Sequence, residues 1–214
     1  MCKGRIRLLG FLFAVALTVG CVSDVNQSTQ QRKSAPADQT AQRLTLEIPD
    51  AAWEPAFFKQ LEARTTAVNL PNLRTVVLPM NDLEVRFWYE GMEIINGVGI
   101  RRMGQQWSAN WIYQTMDSKP SSAKMVLLDP PKSGWDVLWN NLVDAGILTL
   151  PDSPQPRCSS GALDGIGYIV ETNVNRTYRT YMYGNPQLTK CPEAKQILQI
   201  EKTLRDEFSL HPLR

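Results

Sequence analysis

Residues 83 to 114 read LEVRFWYEGMEIINGVGIRRMGQQWSANWIYQ, and this stretch constrains the fold more than any other. Leu83, Val85, Phe87 and Tyr89 alternate with Glu84, Arg86, Trp88 and Glu90. That period of two is the pattern of a strand with one apolar face. Turns are expected at Glu90-Gly91, at Asn96-Gly97 or Gly99, and at Gly104-Gln105, which makes the stretch an antiparallel meander. One face of it belongs to the core and the other faces largely to solvent.

The flanking segments supply helices and further strands. LTLEI (44–48), LRTVVL (73–78) and KMVLLD (124–129) read as strands. Trp53 to Arg64 reads as a helix opened by Asp50, with Pro55 in its first turn and Phe57, Phe58 and Leu61 on one face. SGWDVLWNNLVDAG (133–146) is the clearest helix. Ser133 is its expected N-cap, Asp136 lies in its first turn and Gly146 stops it. Trp135, Leu138, Trp139, Leu142 and Val143 form its apolar stripe. IGYIVET and RTYRTYMY flank Asn173-Val174-Asn175 as a hairpin, and Pro192 opens a last helix with Ala194, Ile197, Ile200, Leu204 and Phe208 on one face. The expected class is α+β, a mostly antiparallel sheet with about three helices.

The start of the chain is different. Lys3, Arg5 and Arg7 precede an apolar run from Leu8 to Val19, with no acidic residue before Asp24. Twelve helical residues reach about 18 Å against a hydrocarbon core of roughly 30 Å, so the run is too short to span a membrane. Its charge order is that of a signal peptide, residues 1–20. Leu17-Thr18-Val19-Gly20-Cys21 resembles the lipobox of bacterial lipoproteins, with Thr18 where that family usually has Leu. The resemblance implies a mature chain beginning at an acylated Cys21, anchored in the membrane through its lipid. Val22 stands where Asp would mark inner-membrane retention, so the likeness points to the outer membrane, facing the periplasm or cell surface.

Residues 21–42 then form a lipidated Cys and a flexible tether, for VSDVNQSTQQRKSAPADQTAQ carries too few bulky apolar side chains to offset its ordering entropy. The body is residues 43–214, as one domain or as two small halves, 43–128 and 129–214. The full chain has 23 Lys+Arg and 21 Asp+Glu. Loss of Lys3, Arg5 and Arg7 leaves 20 minus 21, a net charge of −1, which sets nucleic acid aside as a partner. With Cys2 removed and Cys21 lipidated, Cys158 and Cys191 remain, and in an oxidising compartment they are expected to pair. That bond would stabilise the fold by roughly 3–4 kcal/mol.

Little in the sequence carries chemistry. There is no GxSxG elbow and no HExxH, and the only histidine, His211, lies in the tail. No CxxC spacing suggests a metal, and no cofactor is implied. Gly99 and Gly104 have the spacing of a phosphate loop, but Gln105-Gln106 follow in place of Lys and a hydroxyl. Asp164 and Glu171 are the least weak carboxylate pair, yet seven residues of strand span about 23 Å. Glu171 reads as a strand-end surface charge.

Surface recognition is the better reading. Arg179, Tyr181 and Tyr183 share one face, Arg86 and Trp88 another, and these residue types are enriched at binding hot spots. DGIGYIVE leading into YRTYMYGNP resembles conserved bacterial proteins of unassigned role, over residues 160 to 210. The expected function is a non-enzymatic binding or scaffold module that engages a protein of the cell envelope. The alternatives are an inhibitor or immunity lipoprotein against an envelope-targeted enzyme and, further off, a carboxylate-dependent hydrolase.

Overall fold

The computed structural model describes residues 44–48, 56–90, 96–114, 123–152 and 165–210. The chain divides between Gln39 and Thr40 into two units, and all that follows concerns Thr40–Arg214. The signal segment, Cys21 and the tether lie outside the described residues, as do Trp53, Cys158, Asp164 and His211.

The alternation in the meander becomes β2 (Leu83–Glu90), β3 (Asn96–Met103) and β4 (Gln106–Gln114), followed by β5 (Ala123–Leu127). A second hairpin, β6 (Gly167–Val174) and β7 (Thr177–Gly184), joins the first along β2. β1 (Thr45–Glu47) adds a short parallel edge against β7. The sheet order is β1-β7-β6-β2-β3-β4-β5, with every pair antiparallel except β1–β7. Strands on both sides of residue 128 share this sheet, so residues 43–128 and 129–214 do not form separate cores.

Three helices cover it. α1 (Ala56–Ala67) and a 3-10 turn at Leu73–Thr75 lie on one face, where Phe57, Phe58, Leu61, Val68 and Leu73 pack on Trp88, Ile112, Ile169 and Tyr178. α2 (Trp135–Asp144) and α3 (Pro192–Glu207) share the other, where Leu138, Leu142, Ala194, Ile197, Ile200 and Leu204 meet Val85, Phe87, Val98, Val170 and Tyr181. Each Val, Leu, Ile or Phe side chain among these contributes about 1.5–3 kcal/mol on leaving water. α1, α2 and α3 with the seven strands make the expected α+β class.

Several local expectations are corrected. Residues 73–78 form no strand: Asn72 caps the 3-10 turn by accepting from the Arg74 amide at 3.1 Å, and extended chain follows. Asn96-Gly97 is not a turn but the start of β3. Ser133 does not cap α2; Gly134 precedes the helix with φ +87, while the Ser133 amide donates to Glu207 Oε2 at 2.8 Å. Val143 faces solvent rather than the core. The β6–β7 turn falls at Asn175-Arg176, both at positive φ as a type I′ turn requires. The largest correction concerns the second face of the meander. Glu84, Arg86 and Trp88 are buried under α1 and the 3-10 turn, not solvated.

Cys191 precedes α3 and its sulfur accepts from the Ala194 amide at 3.4 Å, a cap for the helix N-terminus. Cys158 falls outside the described residues, so the pairing of these two cysteines is an expectation and not an observation.

Candidate functional site

Of the residues proposed for surface recognition, Tyr181, Tyr183, Arg86 and Trp88 are buried, while Arg179 is half-buried with its Nε 3.7 Å from the exposed Glu47 carboxylate. Tyr181 and Tyr183 are 0% and 1% exposed. The Tyr181 hydroxyl donates to Ile147 O at 2.9 Å and that of Tyr183 to Pro151 O at 2.6 Å. Arg179 donates to Leu148 O at 3.4 Å and to Leu150 O, and lies 5.0 Å over the Tyr181 ring. The three side chains do share a face. There they staple carbonyls of the segment after α2 onto β7, a structural task that suits their residue types.

Arg86 and Trp88 also share a face, the opposite one, at 1% and 0% exposure. Arg86 meets Glu84 with Nε at 2.7 Å and Nη2 at 2.6 Å from Oε1, and its Nη1 donates to Pro71 O at 2.9 Å. Glu171 is no surface charge. Buried in mid-strand, it accepts from Trp88 Nε1 at 2.8 Å and from the Tyr178 hydroxyl at 2.9 Å. Since Arg86 registers with Glu171 and Glu84 with Asn173, the two carboxylates are diagonal neighbours across β2 and β6, a separation of about 7–8 Å between backbones. In hydrolytic pairs the carboxyl groups themselves stand about 5–9.5 Å apart. Both are buried and engaged by donors, Glu84 by Arg86 and Arg101 and Glu171 by Trp88 and Tyr178, so they hold the layer together rather than facing a substrate.

A different constellation is brought together by the strand register on the α2/α3 face. Cross-strand pairing aligns Tyr183, Tyr168, Tyr89, Asn96, Tyr113 and Lys124 in one row spanning β7, β6, β2, β3, β4 and β5. Residues so paired stand on the same face. Tyr89 meets Tyr168 at 5.8 Å and Trp111, from the next row, at 6.1 Å, both edge to face. α3 lays Glu201 and Arg205 against this end of the sheet, joined at 3.3 Å.

The electrostatics follow from burial. The Tyr168 hydroxyl is pushed up to about 12, first by desolvation and then by the Glu201 carboxylate. Tyr89 is raised further by the same two causes in the same order, with Tyr168 adding to them. Glu201 itself is held above the usual carboxylate range by burial, which outweighs the opposing pull of Arg205. A raised carboxyl binds its proton more tightly folded than unfolded. Its contribution is therefore complete below its ordinary value of 4.5 and is lost as pH rises through the folded value. Glu201→Gln is expected to raise the melting temperature near neutral pH, with the advantage shrinking below about pH 4.5; melting curves of both proteins across pH 4–8 measure it.

Asn96 is the unusual member of the row. It is 1% exposed, and neither its Nδ2 nor its Oδ1 finds a hydrogen-bond partner among the described residues. Each buried polar group left so costs about 1–3 kcal/mol. Sequence reasoning missed the row because its members come from six strands, and only the register assembles them. Nor is a metal centre indicated: among the described residues no group of three or more His, Cys, Asp or Glu is placed to hold one. No protein-family model matches the chain, and neither does any curated protein.

Proposed function

We propose that this chain is a lipid-anchored binding module of a bacterial envelope, carried on an acylated Cys21 in the outer membrane and reaching its ligand through the tether of residues 21–42. The observation that carries the binding role is Asn96, a buried amide with unmet hydrogen-bonding capacity among aromatic side chains. Ligand sites are mostly apolar, with a few placed polar groups that fix orientation. The anchor rests on the apolar run that ends at Gly20-Cys21. Among the described residues no helix is long and apolar enough to cross a membrane, so attachment of the body itself falls to the lipid in this reading.

A second reading, an inhibitor lipoprotein directed at an envelope enzyme, is favoured by one feature. The outer strand β5 leaves Met125, Val126 and Leu127 exposed, Leu127 at 70%, and an open apolar edge suits pairing with a protein.

Intact mass and fractionation of the chain expressed with its own first twenty residues test the anchor. A mature start at Cys21 with acyl mass in the outer-membrane fraction is expected, and Cys21→Ala should release the protein. Unchanged fractionation of that variant would remove the anchor from the reading. Cross-linked capture from the same membranes then separates the two binding roles: one tightly held enzyme favours the inhibitor.

A further inference from the structure

We propose that the outer edge of β5 pairs with the same edge of a second copy, antiparallel about a two-fold axis centred on Met125. The proposal goes beyond the anchored binding module and uses the anchor for one point only, the crowding of copies on a membrane. Among the described residues β5 pairs with β4 alone and ends the sheet. Its Met125, Val126 and Leu127 are exposed, and Lys124 is its only charge. Proteins usually blunt such an edge or use it.

The direction of the free backbone groups follows from one bond. The Leu128 amide donates to Ala109 O at 2.9 Å, which extends the β4–β5 ladder one residue past Leu127. Alternate residues of an antiparallel strand turn to the same side. Leu128, Val126 and Lys124 therefore turn their N–H and C=O groups to β4, while Ala123, Met125 and Leu127 turn theirs outward. Centred on Met125, the outward residues of two copies meet as a set: Ala123 faces Leu127, Met125 faces Met125, and Leu127 faces Ala123. Small meets large on either side of the axis, and each facing pair can exchange two hydrogen bonds.

Charge selects the same register. Centring on Lys124 would set two ammonium groups directly opposite, which is destabilising. About Met125, each Lys124 lies across from Val126 of the second copy. Its stem gains apolar contact there, and its ammonium is directed toward Trp111, which stands half-buried in line beyond Val126. A foreign strand could use the same backbone groups, but nothing here fixes its register. In the anchored reading, copies also share one membrane surface. A coil the length of residues 21–42 spans about 25 Å, enough to bring neighbouring bodies edge to edge.

Cysteine trapping of the full chain, expressed with its own first twenty residues, tests this. Across the axis the two Met125 Cα atoms stand about 5.5 Å apart, which a disulfide bridges. Lys124 and Val126 each meet their own counterparts only on the diagonal, at about 7–8 Å, beyond easy bridging. On mild oxidation of the cells and their medium, Met125→Cys is expected to give a reducible dimer. The yield should be at least about tenfold that of Lys124→Cys, Val126→Cys or, at an exposed position of α2, Val137→Cys. An edge of five residues is a small interface, so the dimer should be weak and reversible. Sedimentation velocity of the full chain with Cys21→Ala, from about 1 μM to about 1 mM, reads it. Met125→Pro removes an outward N–H that the sheet does not use, a change edge strands tolerate. It is expected to fold and to raise the dissociation constant at least about tenfold. Met125→Lys, which sets like charges face to face, serves if the proline variant does not fold.

No trapped dimer, equal trapping at Lys124 or Val126, a monomer at about 1 mM, or growth beyond the dimer overturns the proposal. So does a dimer that survives both Met125 variants. A monomer whose Met125 variants lose capture of an envelope protein would give the edge to that protein, and also overturns it. The two readings fail separately. A chain without acyl mass that still pairs through Met125 loses only the anchor. A chain that fractionates with the outer membrane but stays monomeric loses only the dimer.

Discussion

Trp88→Ala is expected to lower the free energy of unfolding by about 3–5 kcal/mol, the range for emptying a fully buried Trp site. The indole is wholly shielded, packed in the layer with Phe58, Leu61, Ile112 and Ile169. Its Nε1–H is one of two donors holding the buried Glu171 carboxylate, so truncation also leaves Oε2 without its partner at 2.8 Å. The backbone has been fitted to the ring: a Cβ at Gly97 would come within 2.7 Å of the indole and 2.9 Å of Phe87 O. Because β3 cannot move onto β2 without losing seven aligned residues of pairing, the site collapses poorly and the cost lies at the upper end. Urea unfolding followed by far-ultraviolet circular dichroism measures it, with the midpoint moving and the slope unchanged. A loss under about 1 kcal/mol would show that α1 does not seal this face in solution.

That residue also shows what a sequence conceals. The alternation at 83–90 was legible, as was the apolar face of α3, because period two and period 3.6 are local properties of a chain. What lies above each face of a strand is not local. Glu84, Arg86 and Glu171 read as a wet surface when each strand is taken alone. Aligned side by side, they compensate one another and can be covered. The same blindness moved Tyr181 and Tyr183 to a surface: both residue types serve interfaces and cores, and the carbonyls that receive their hydroxyls lie about thirty residues away in sequence. Asn96-Gly97 carried a strong turn signal. It lost to Trp88, which needs a glycine across from it for room. For the candidate site, the sequence contained every member of the tyrosine row but not the register that joins them, and nothing local distinguishes Asn96 from a turn residue.

Arg86→Met is expected to cost about 3–5 kcal/mol, since it strips a buried carboxylate of its counter-charge. Glu84 would keep only Arg101, 3.6 Å from Oε2 and 45% exposed, which weakens that residual pairing by solvent screening. Pro71 O would lose its donor as well, loosening the approach to the 3-10 turn. The cost falls mainly on the charge left behind, not on the attraction lost, and this makes a second prediction that discriminates. Removing both partners, in Glu84→Leu with Arg86→Met, is expected to leave the protein more stable than Arg86→Met alone by about 2 kcal/mol, because no uncompensated charge remains. A double-mutant cycle by urea unfolding reads the coupling. Additive losses would mean that water reaches Glu84 in the single variant. The polar layer under α1 would then be an open cleft with access to Glu171, and the two diagonal carboxylates would return as candidates for hydrolysis.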